Sequence, residues 1–223
     1  MSTPRLIPVH TPREPQGVVL VLHGGASRGA GVRVSPTQLS VLRMVPVARR
    51  IARAGRSRLA VLRLLNTHRG WDAGTTPVMD VAWALGQVAE QHGDLPVALV
   101  GHSLGGRAAL LGGVEPGVRS VVALNPWVQT TDRVRLGDTR TLVVHGTDDR
   151  IASPERALQL ARRLSESGRV GYIAVAGGKH AMLRRGRTFE RLAAEFVTCT
   201  LLGDPARSSA VREVLDGAPW VEV

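Results

Sequence analysis

The segment Val97–Arg107, Val-Ala-Leu-Val-Gly-His-Ser-Leu-Gly-Gly-Arg, constrains the fold more than any other part of the chain. Its four leading apolar residues predict a strand buried on both faces, as in a parallel sheet. Residues 104–111 favour a helix, so Ser103 lies on the turn between strand and helix. Glycines at Gly101 and Gly105 let the neighbouring backbone approach closely, and such a sharp turn holds the serine in a strained conformation at the end of the strand.

Apolar runs and helical periodicity alternate along the rest of the chain. Strands are predicted at 5–10, 17–22, 59–65, 120–125, 141–145 and 169–175, and helices at about 37–54, 77–91, 154–164, 188–202 and 209–215. In the helix at 37–54 we expect one apolar side, formed by Leu39, Leu42, Val45, Val47 and Ile51. This alternation predicts an α/β fold with a mostly parallel, doubly wound sheet and helices on both faces.

The chain length favours one domain over residues 1–223, with a core at about 17–202 and a C-terminal tail at 203–223. Only about a dozen residues, 128–140, join the strand at 120–125 to the next one. A cap domain inserted there would need a longer segment. The sequence therefore predicts no cap domain and an open site.

Residues able to do chemistry follow several of the predicted strands. A His-Gly-Gly segment at 23–25 follows the first buried strand, Ser103 the central one, Asp148 and Asp149 the strand at 141–145, and His180 the last one. In an open parallel sheet, ligands bind at the carboxyl ends of the strands. A serine hydroxyl becomes a good nucleophile only when a base takes its proton and an acid orients that base. All three groups are present at strand ends.

The chain resembles the α/β-hydrolase family in four motifs that occur in the family's order. They are His-Gly-Gly at 23–25, the nucleophile elbow Gly-His-Ser-Leu-Gly-Gly at 101–106, His-Gly-Thr-Asp-Asp-Arg-Ile at 145–151 and Gly-Lys-His at 178–180. The resemblance covers about residues 17–202 and is greatest to small capless esterases and dienelactone hydrolases. It implies an α/β-hydrolase fold and a serine hydrolase that cleaves small carboxylic esters through an acyl-enzyme intermediate.

The same resemblance implies roles for individual residues. Ser103 matches the nucleophile, His180 the general base and Asp149 the acid of a catalytic triad. Asp148 or Asp132 remains an alternative for the acid, and Asp148 could instead cap the turn.

An oxyanion hole is expected beside the nucleophile. The backbone N–H of Leu104, at the start of a helix, matches one donor, and that of Gly25 matches the second, with Ala26 as the alternative.

Three further side chains are candidates for contact with a substrate. His68, Trp71 and Trp127 follow predicted strands at the expected active end of the sheet. Large flat apolar groups often line acyl or aromatic pockets, although plain core packing is an equal alternative for both tryptophans.

The remaining histidines near the strand ends have simpler interpretations. His102 is expected to pack below the turn, and His23 and His145 are expected to be structural, with backbone groups of the loops as partners. No histidine, cysteine or carboxylate set has metal-ligand spacing, so no metal site is predicted, and no cofactor is expected.

The net charge of +11 is carried almost wholly by arginine, since Lys179 is the only lysine. The arginines are scattered and aromatic residues make up only 3%, so we favour a coding bias over a nucleic-acid surface. One local cluster, Lys179, Arg184, Arg185, Arg187 and Arg191, is best interpreted as a solvated helix face. It would also suit an acidic or carrier-bound substrate of a thioesterase or lactone hydrolase, which stays as an alternative.

No apolar run approaches the 18 or so residues of a membrane span, so no membrane partner is expected. The single cysteine, Cys199, excludes an intramolecular disulfide, and the first residues lack the apolar segment of a signal peptide. We therefore expect a cytoplasmic protein with a small-molecule ester as its substrate and no nucleic-acid partner. The sequence leaves the oligomeric state open.

Two other classes of protein compete with this interpretation. A nucleotide-binding α/β domain is disfavoured because the glycines after residue 22 do not form Gly-x-Gly-x-x-Gly and the Walker pattern is missing. A non-catalytic binding protein with the α/β-hydrolase fold is disfavoured because residues matching all three triad members are present.

Overall fold

The computed structural model describes residues 3–25, 31–71 and 76–223. The apolar runs form the strands of one eight-stranded sheet, and the helical segments connect them. The strands are β1 (Arg5–His10), β2 (Gly17–Leu22), β3 (Leu59–Leu65), β4 (Val97–His102), β5 (Val118–Leu124), β6 (Arg140–Gly146), β7 (Val170–Val175) and β8 (Trp220–Glu222). The helices are α1 (Leu39–Gly55), α2 (Thr76–His92), α3 (Leu104–Gly112), α4 (Pro154–Ser165), α5 (Gly186–Leu202) and α6 (Ser209–Leu215).

The strand order in the sheet is β1-β3-β2-β4-β5-β6-β7-β8. All neighbouring strands run parallel except β1, which pairs antiparallel with β3 at one edge. Pro8 is tolerated in β1 because an edge strand can lack one backbone donor. The carboxyl ends of β2, β4, β5, β6 and β7 therefore meet at one edge of the sheet, which we call the carboxyl edge.

Side chains of the central strands alternate between two apolar layers. In β2, Val18, Leu20 and Leu22 face the layer formed with α2, α3 and α4, whereas Val19 and Val21 face the layer formed with α1, α5 and α6. Burial on both faces explains why these strands are continuous apolar runs. This arrangement confirms the predicted α/β fold class, a mostly parallel doubly wound sheet with helices on both faces.

The apolar side expected for the first helix needs correction. Helix α1 buries Val41, Met44, Val47, Ala48 and Ile51 against the sheet. Leu39 and Leu42, which we expected on the same side, are 83% and 45% exposed. The helix carries two apolar stripes: one packs on the sheet, and the other, near the N-terminus, faces the space above the carboxyl edge.

Within the described residues no cap domain covers the carboxyl edge, as predicted, and β5 and β6 are joined by residues 125–139 without a helix or strand. The helices that the structure describes include none that is both long and apolar enough to cross a membrane.

The C-terminal segment 203–223 contributes α6, at the predicted residues, and strand β8, which the sequence did not predict. Three residues are too few for a periodic signal, and β8 depends on its partner strand. The Tyr172 N–H of β7 donates to the Pro219 carbonyl at 3.1 Å, and the Val223 N–H donates to the Ala174 carbonyl at 2.9 Å.

Candidate active site

Ser103 lies on a tight turn between β4 and α3. Its backbone has φ 56° and ψ −120°, a strained conformation for a residue with a side chain. The turn is closely packed, since a Cβ on Gly101 would lie 2.1 Å from the Gly105 carbonyl oxygen. The Ser103 N–H donates to the Leu124 carbonyl at 3.0 Å, which ties the turn to the end of β5. The hydroxyl is thereby held at the carboxyl edge.

A chain of two hydrogen bonds joins Ser103, His180 and Asp149. The Ser103 Oγ lies 3.0 Å from Nε2 of His180, and the opposite ring nitrogen, Nδ1, lies 2.8 Å from Oδ2 of Asp149. The Asp149 side chain is fully buried, whereas that of His180 is 13% exposed. The hydroxyl can therefore donate to the imidazole while the imidazole N–H donates to the carboxylate, as a nucleophile, base and acid must.

Asp149 accepts hydrogen bonds on both carboxylate oxygens. The N–H groups of Ile151 and Ala152 donate to Oδ1 at 2.8 and 3.0 Å, and Nε2 of His145 lies 3.2 Å from Oδ2. Burial acts to raise the pKa of Asp149, but the hydrogen bonds from His145, His180 and the two backbone N–H groups outweigh it and lower the pKa below its usual range. The carboxylate is therefore ionised at neutral pH and fixes the orientation of His180.

The two alternative acids lie elsewhere. Asp148 is exposed, and its carboxylate accepts only a long 3.4 Å hydrogen bond from the Thr147 hydroxyl among the described residues. Asp132 is held by Arg107, whose Nη2 lies 2.6 Å from Oδ1. The only aspartate that the described structure brings to His180 is thus Asp149.

Asn125 holds the loop that carries His180. Its Nδ2 donates to the carbonyl groups of Lys179 and His180, both at 3.1 Å, and its Oδ1 accepts the N–H of Gly146 at 2.8 Å. Asn125 is fully buried, with a positive φ of 42°. One amide therefore joins the end of β5 to the loop after β7 and to the end of β6.

His102 also contacts the His180 loop, from below the turn. Its Nε2–H donates to the His180 carbonyl at 2.8 Å, and the two ring centroids lie 5.0 Å apart. Burial is the main cause that lowers the pKa of His102 to about 3, with a smaller electrostatic contribution from the neighbouring His180. His102 is therefore a neutral structural residue, as predicted, and does not compete with His180 as a base.

His23 has a similar structural role at the end of β2. Its Nδ1–H donates to the Gly24 carbonyl at 2.6 Å, and its Nε2 accepts the Asn66 N–H at 3.1 Å. Burial lowers the pKa of His23 to about 4, so the ring is neutral at pH 7. These partners are loop backbone groups, as expected.

The two expected oxyanion donors flank Ser103. Leu104 is the first residue of α3, so its N–H has no acceptor within the helix and lies at the positive end of the helix dipole. Gly25 lines the same cavity as Ser103, and a Cβ on Gly25 would lie 3.1 Å from Cδ1 of Leu104. Ala26, the alternative to Gly25, lies outside the described residues.

A cavity of about 540 Å³ opens above Ser103. Most of its lining side chains outside the triad are aliphatic: Leu39, Leu42, Pro46, Ala181 and Leu183. Ser40 and Arg43 add polar groups from α1, so this helix and the loop after His180 form the walls.

The three side chains predicted to contact a substrate lie outside this cavity. Trp71 packs against the guanidinium of Arg107, whose Cζ lies 4.2 Å from the ring centroid. His68 forms an isolated antiparallel bridge with Arg33, and Trp127 lines a separate hollow of about 330 Å³. The described lining of the cavity above Ser103 therefore includes none of the three.

Sequence reasoning missed two residues that position the triad. Asn125 is a polar residue directly after β5, and this position could have identified it as a candidate, because polar residues after buried parallel strands lie together at the carboxyl edge. His145 was expected to contact backbone only; its Nε2 contacts the Ala152 carbonyl at 3.2 Å but also the Asp149 carboxylate. This second contact depends on how the loop after β6 folds back, which no local pattern indicates.

Solved structures with the same architecture include three bacterial proteins. Est1E from Butyrivibrio proteoclasticus is 13% identical, with a TM-score of 0.64 over 90% of this chain and 94% of that one. An alpha-beta serine hydrolase homologue from Coxiella burnetii is 16% identical, with a TM-score of 0.64 over 86% and 89%. XC6422 from Xanthomonas campestris, an a/b serine hydrolase without lid, is 16% identical, with a TM-score of 0.62 over 85% of both chains.

Neither a protein-family model nor a curated protein matches the sequence. The structural likeness extends over most of each chain despite the low identity, and it agrees with the strand order and helix layers described above. The chain therefore has the α/β-hydrolase fold, and the residues that the structure describes include no cap domain.

Proposed function

We propose that this protein is a serine hydrolase that cleaves small carboxylic esters through an acyl-enzyme intermediate. The observation that carries the proposal is the hydrogen-bonded chain from Asp149 through His180 to Ser103, with separations of 2.8 and 3.0 Å. A non-catalytic protein has no need to hold a strained serine against an oriented histidine and a buried carboxylate. The esterases among the structural neighbours agree with this proposal.

The first half of the reaction acylates Ser103. Its Oγ attacks the ester carbonyl carbon while His180 Nε2 takes the hydroxyl proton, and Asp149 stabilises the resulting imidazolium. The tetrahedral intermediate carries a negative oxygen, which the N–H groups of Leu104 and Gly25 stabilise. When the intermediate collapses, the bond to the alcohol oxygen breaks, and His180 returns the proton to the departing alcohol.

The second half of the reaction releases the acid. A water molecule gives its proton to His180 Nε2 and attacks the acyl carbon, so a second tetrahedral intermediate forms at the same N–H groups. Its collapse breaks the bond to Ser103 Oγ, which recovers its proton from His180. The enzyme is then unchanged, and one water has been consumed per ester.

The cavity supports an ester with a short or medium aliphatic chain. A volume of about 540 Å³ lies within the usual range for small-molecule sites, and the aliphatic side chains of α1 favour an apolar group. Leu39 and Leu183 are 83% and 76% exposed at the rim, so they would gain most from contact with an acyl chain.

A screen of 4-nitrophenyl esters from acetate to decanoate, beside matched acyl thioesters, tests the proposal. We expect turnover of the esters with a maximum at short or medium chains, and no turnover by Ser103→Ala. Failure to hydrolyse either class, while Ser103 still reacts with a fluorophosphonate, would overturn the assigned substrate.

A negatively charged acyl chain is a second candidate, because Arg43 lines the cavity and makes no ion pair among the described residues. Mono-4-nitrophenyl glutarate and 4-nitrophenyl pentanoate form a matched pair, since a carboxylate replaces the terminal methyl group. Preference for the glutarate that is lost in Arg43→Gln supports this class. A preference for the pentanoate that Arg43→Gln leaves unchanged argues against it.

We also propose that the enzyme acts in the cytoplasm. The support is compositional: Cys199 is the only cysteine, so the chain cannot use the internal disulfides common in secreted domains. Fractionation of the source cells checks this location.

A further inference from the structure

A second concave site lies away from Ser103, against the opposite edge of the sheet. Its volume is about 450 Å³. The walls come from the C-terminal half of α1, the turn at 56–58, helix α5 and the segment 204–208. The Arg58 carbonyl accepts the Gln16 N–H just before β2 begins, which places this hollow near the amino ends of the strands. Leu39 of α1 lines the cavity above Ser103, whereas Arg50 of the same helix lines this hollow. The rise per residue of an α-helix places these two residues about 16 Å apart along the helix axis.

The hollow is lined by more positive than negative side chains. Five arginines, Arg50, Arg56, Arg58, Arg191 and Arg207, face it together with two acids, Glu195 and Asp204. Asp204 is fully engaged by Arg58, whose two terminal nitrogens lie 2.9 and 2.7 Å from the two carboxylate oxygens. In the part of the chain that the structure describes, the other four arginines form no ion pair.

The wall opposite α1 is held in place by hydrogen bonds. Oε1 of Glu195 accepts the N–H groups of Arg207 and Ser208, both at 2.6 Å, and the Ser208 hydroxyl at 3.0 Å. The Asp204 N–H donates to the Thr198 carbonyl at 3.3 Å. The Glu195 carboxylate and the Asp204 N–H therefore fasten the segment 204–208 onto α5, whereas the Asp204 carboxylate ties the same segment to Arg58, so the arginines surround a formed hollow.

We infer that this basic hollow binds a small ligand that carries two or more phosphate groups. A guanidinium presents its donors in a planar fork that matches phosphate oxygens, and each pair forms strong charge-assisted hydrogen bonds. The five arginines and two acids give the hollow a net charge of +3, which exceeds the charge of about −1.5 to −2 on one phosphate group, so a ligand with two or more phosphates matches it better. The volume suits a small molecule, and the concave shape disfavours a long duplex, which needs an extended surface.

The inference is independent of the hydrolase proposal, because none of the lining residues of the basic hollow contributes to the triad or to the cavity above Ser103. Binding can therefore be measured without any ester, and a failure of one proposal leaves the other standing.

Isothermal titration calorimetry with sodium tripolyphosphate, at a fixed ionic strength of about 0.15 M, tests the inference. We expect one site per chain, with affinity reduced at least about 10-fold in the double variant Arg50→Gln/Arg191→Gln. The matched control is Arg156→Gln/Arg162→Gln on α4, which removes the same charge from exposed positions on the other side of the sheet. The control should bind within about twofold of the unmodified protein.

Three results would overturn the inference: the absence of saturable binding, an equal loss in both double variants, or tighter binding of duplex DNA than of tripolyphosphate. An equal loss means that the net charge of +11 attracts anions without a specific site. Thermal unfolding checks that each variant is folded. Arg56→Gln, a single change at an exposed turn, repeats the test if the double variant is unstable.

Discussion

The side-chain amide of Asn125 lies 3.1 Å from the carbonyl oxygen of His180, and so the residue that follows β5 fixes the loop carrying the candidate base. The same side chain accepts the N–H of Gly146 at the end of β6. Because the nucleophile, base and acid come from three different strand ends, their alignment depends on such links between strands. Asn125 is thus a positioning residue, which acts through His180 without touching the reacting atoms.

We predict that Asn125→Ala lowers kcat/KM for a 4-nitrophenyl ester at least about 10-fold and destabilises the fold by about 2 kcal/mol, because it leaves buried backbone groups without a partner. Asn125→Asp keeps the acceptor for Gly146 but places carboxylate oxygens against two carbonyl groups, so it should also lose activity. Steady-state kinetics and urea unfolding measure the two effects.

The control for this series is Asn66→Ala, because the Oδ1 of Asn66 has no hydrogen-bond partner among the described residues. Its activity should stay within about threefold of the unmodified protein. Full activity of Asn125→Ala would show that the His180 loop needs no such link.

We predict that Asp149→Asn lowers kcat/KM by about 10⁴-fold, since an amide favours the wrong tautomer of His180 and leaves the imidazolium without a negative partner. Asp148→Asn is the matched control, because the neighbouring carboxylate is exposed and does not contact His180. It should retain activity within about threefold. If steady-state assays show a large loss of activity for Asp148→Asn and little loss for Asp149→Asn, the acid of the triad is Asp148.

We predict that Gly25→Ala reduces kcat by about 10²- to 10³-fold, the usual loss on removal of one oxyanion donor. A Cβ at this position would lie 2.1 Å from the Arg69 carbonyl oxygen, so the backbone and its N–H must move. Gly31→Ala is the control, because a Cβ on Gly31 would lie within 4 Å of no other residue that the structure describes, its chain neighbours apart. If Gly25→Ala keeps full kcat with a saturating ester, the second donor comes from another residue.

The stability of the protein should fall as the pH drops below about 6.5. Burial lowers the pKa of His23 to about 4 and that of His102 to about 3, whereas both return to about 6.5 in the unfolded chain. Between these values the unfolded chain binds protons that the folded chain does not, so acid favours unfolding. This loss of stability is absent above pH 6.5 and grows as the pH falls to about 4 for His23 and to about 3 for His102.

Near pH 5 each of these histidines should contribute a slope of up to about 1.4 kcal/mol per pH unit to the free energy of unfolding. Urea unfolding between pH 7.5 and 5 measures the slope, and His102→Asn should remove about half of it. A free energy that stays constant from pH 6.5 to 5 would contradict the neutral, buried state of both rings. The lowered pKa of Asp149 acts in the same direction at still lower pH, where that carboxylate becomes protonated.

Much of the fold was predictable because its strands are buried on both faces and appear as continuous apolar runs. The runs at β2, β3 and β4 need no partner to be recognised, and Gly101 and Ser103 mark the turn that follows β4. Strand β8 was not predictable, because its three residues become a strand only by pairing with β7. The prediction of the apolar side of α1 was partly wrong, because helical periodicity alone does not distinguish apolar residues that pack on the sheet from apolar residues that line a cavity.

Sequence motifs were sufficient to predict the triad candidates, but no motif predicted which side chains form the walls of the cavity. Trp71 and Trp127 follow strands at the correct edge, yet Trp71 packs on Arg107, which also binds Asp132. The cavity is instead lined by Leu42 and Leu183, which come from α1 and from the loop after His180. Their position depends on how these segments pack above the sheet, a tertiary property without a local pattern.

The most direct test of the central claim is labelling with a fluorophosphonate, followed by peptide mapping. We predict that the folded protein is modified at Ser103 alone, and that the modification is lost in His180→Ala and greatly slowed in Asp149→Asn, because the serine is nucleophilic only when the aligned base takes its proton. A folded protein that stays unlabelled, or one labelled equally well without His180, would contradict the proposal that these three residues form a working catalytic triad.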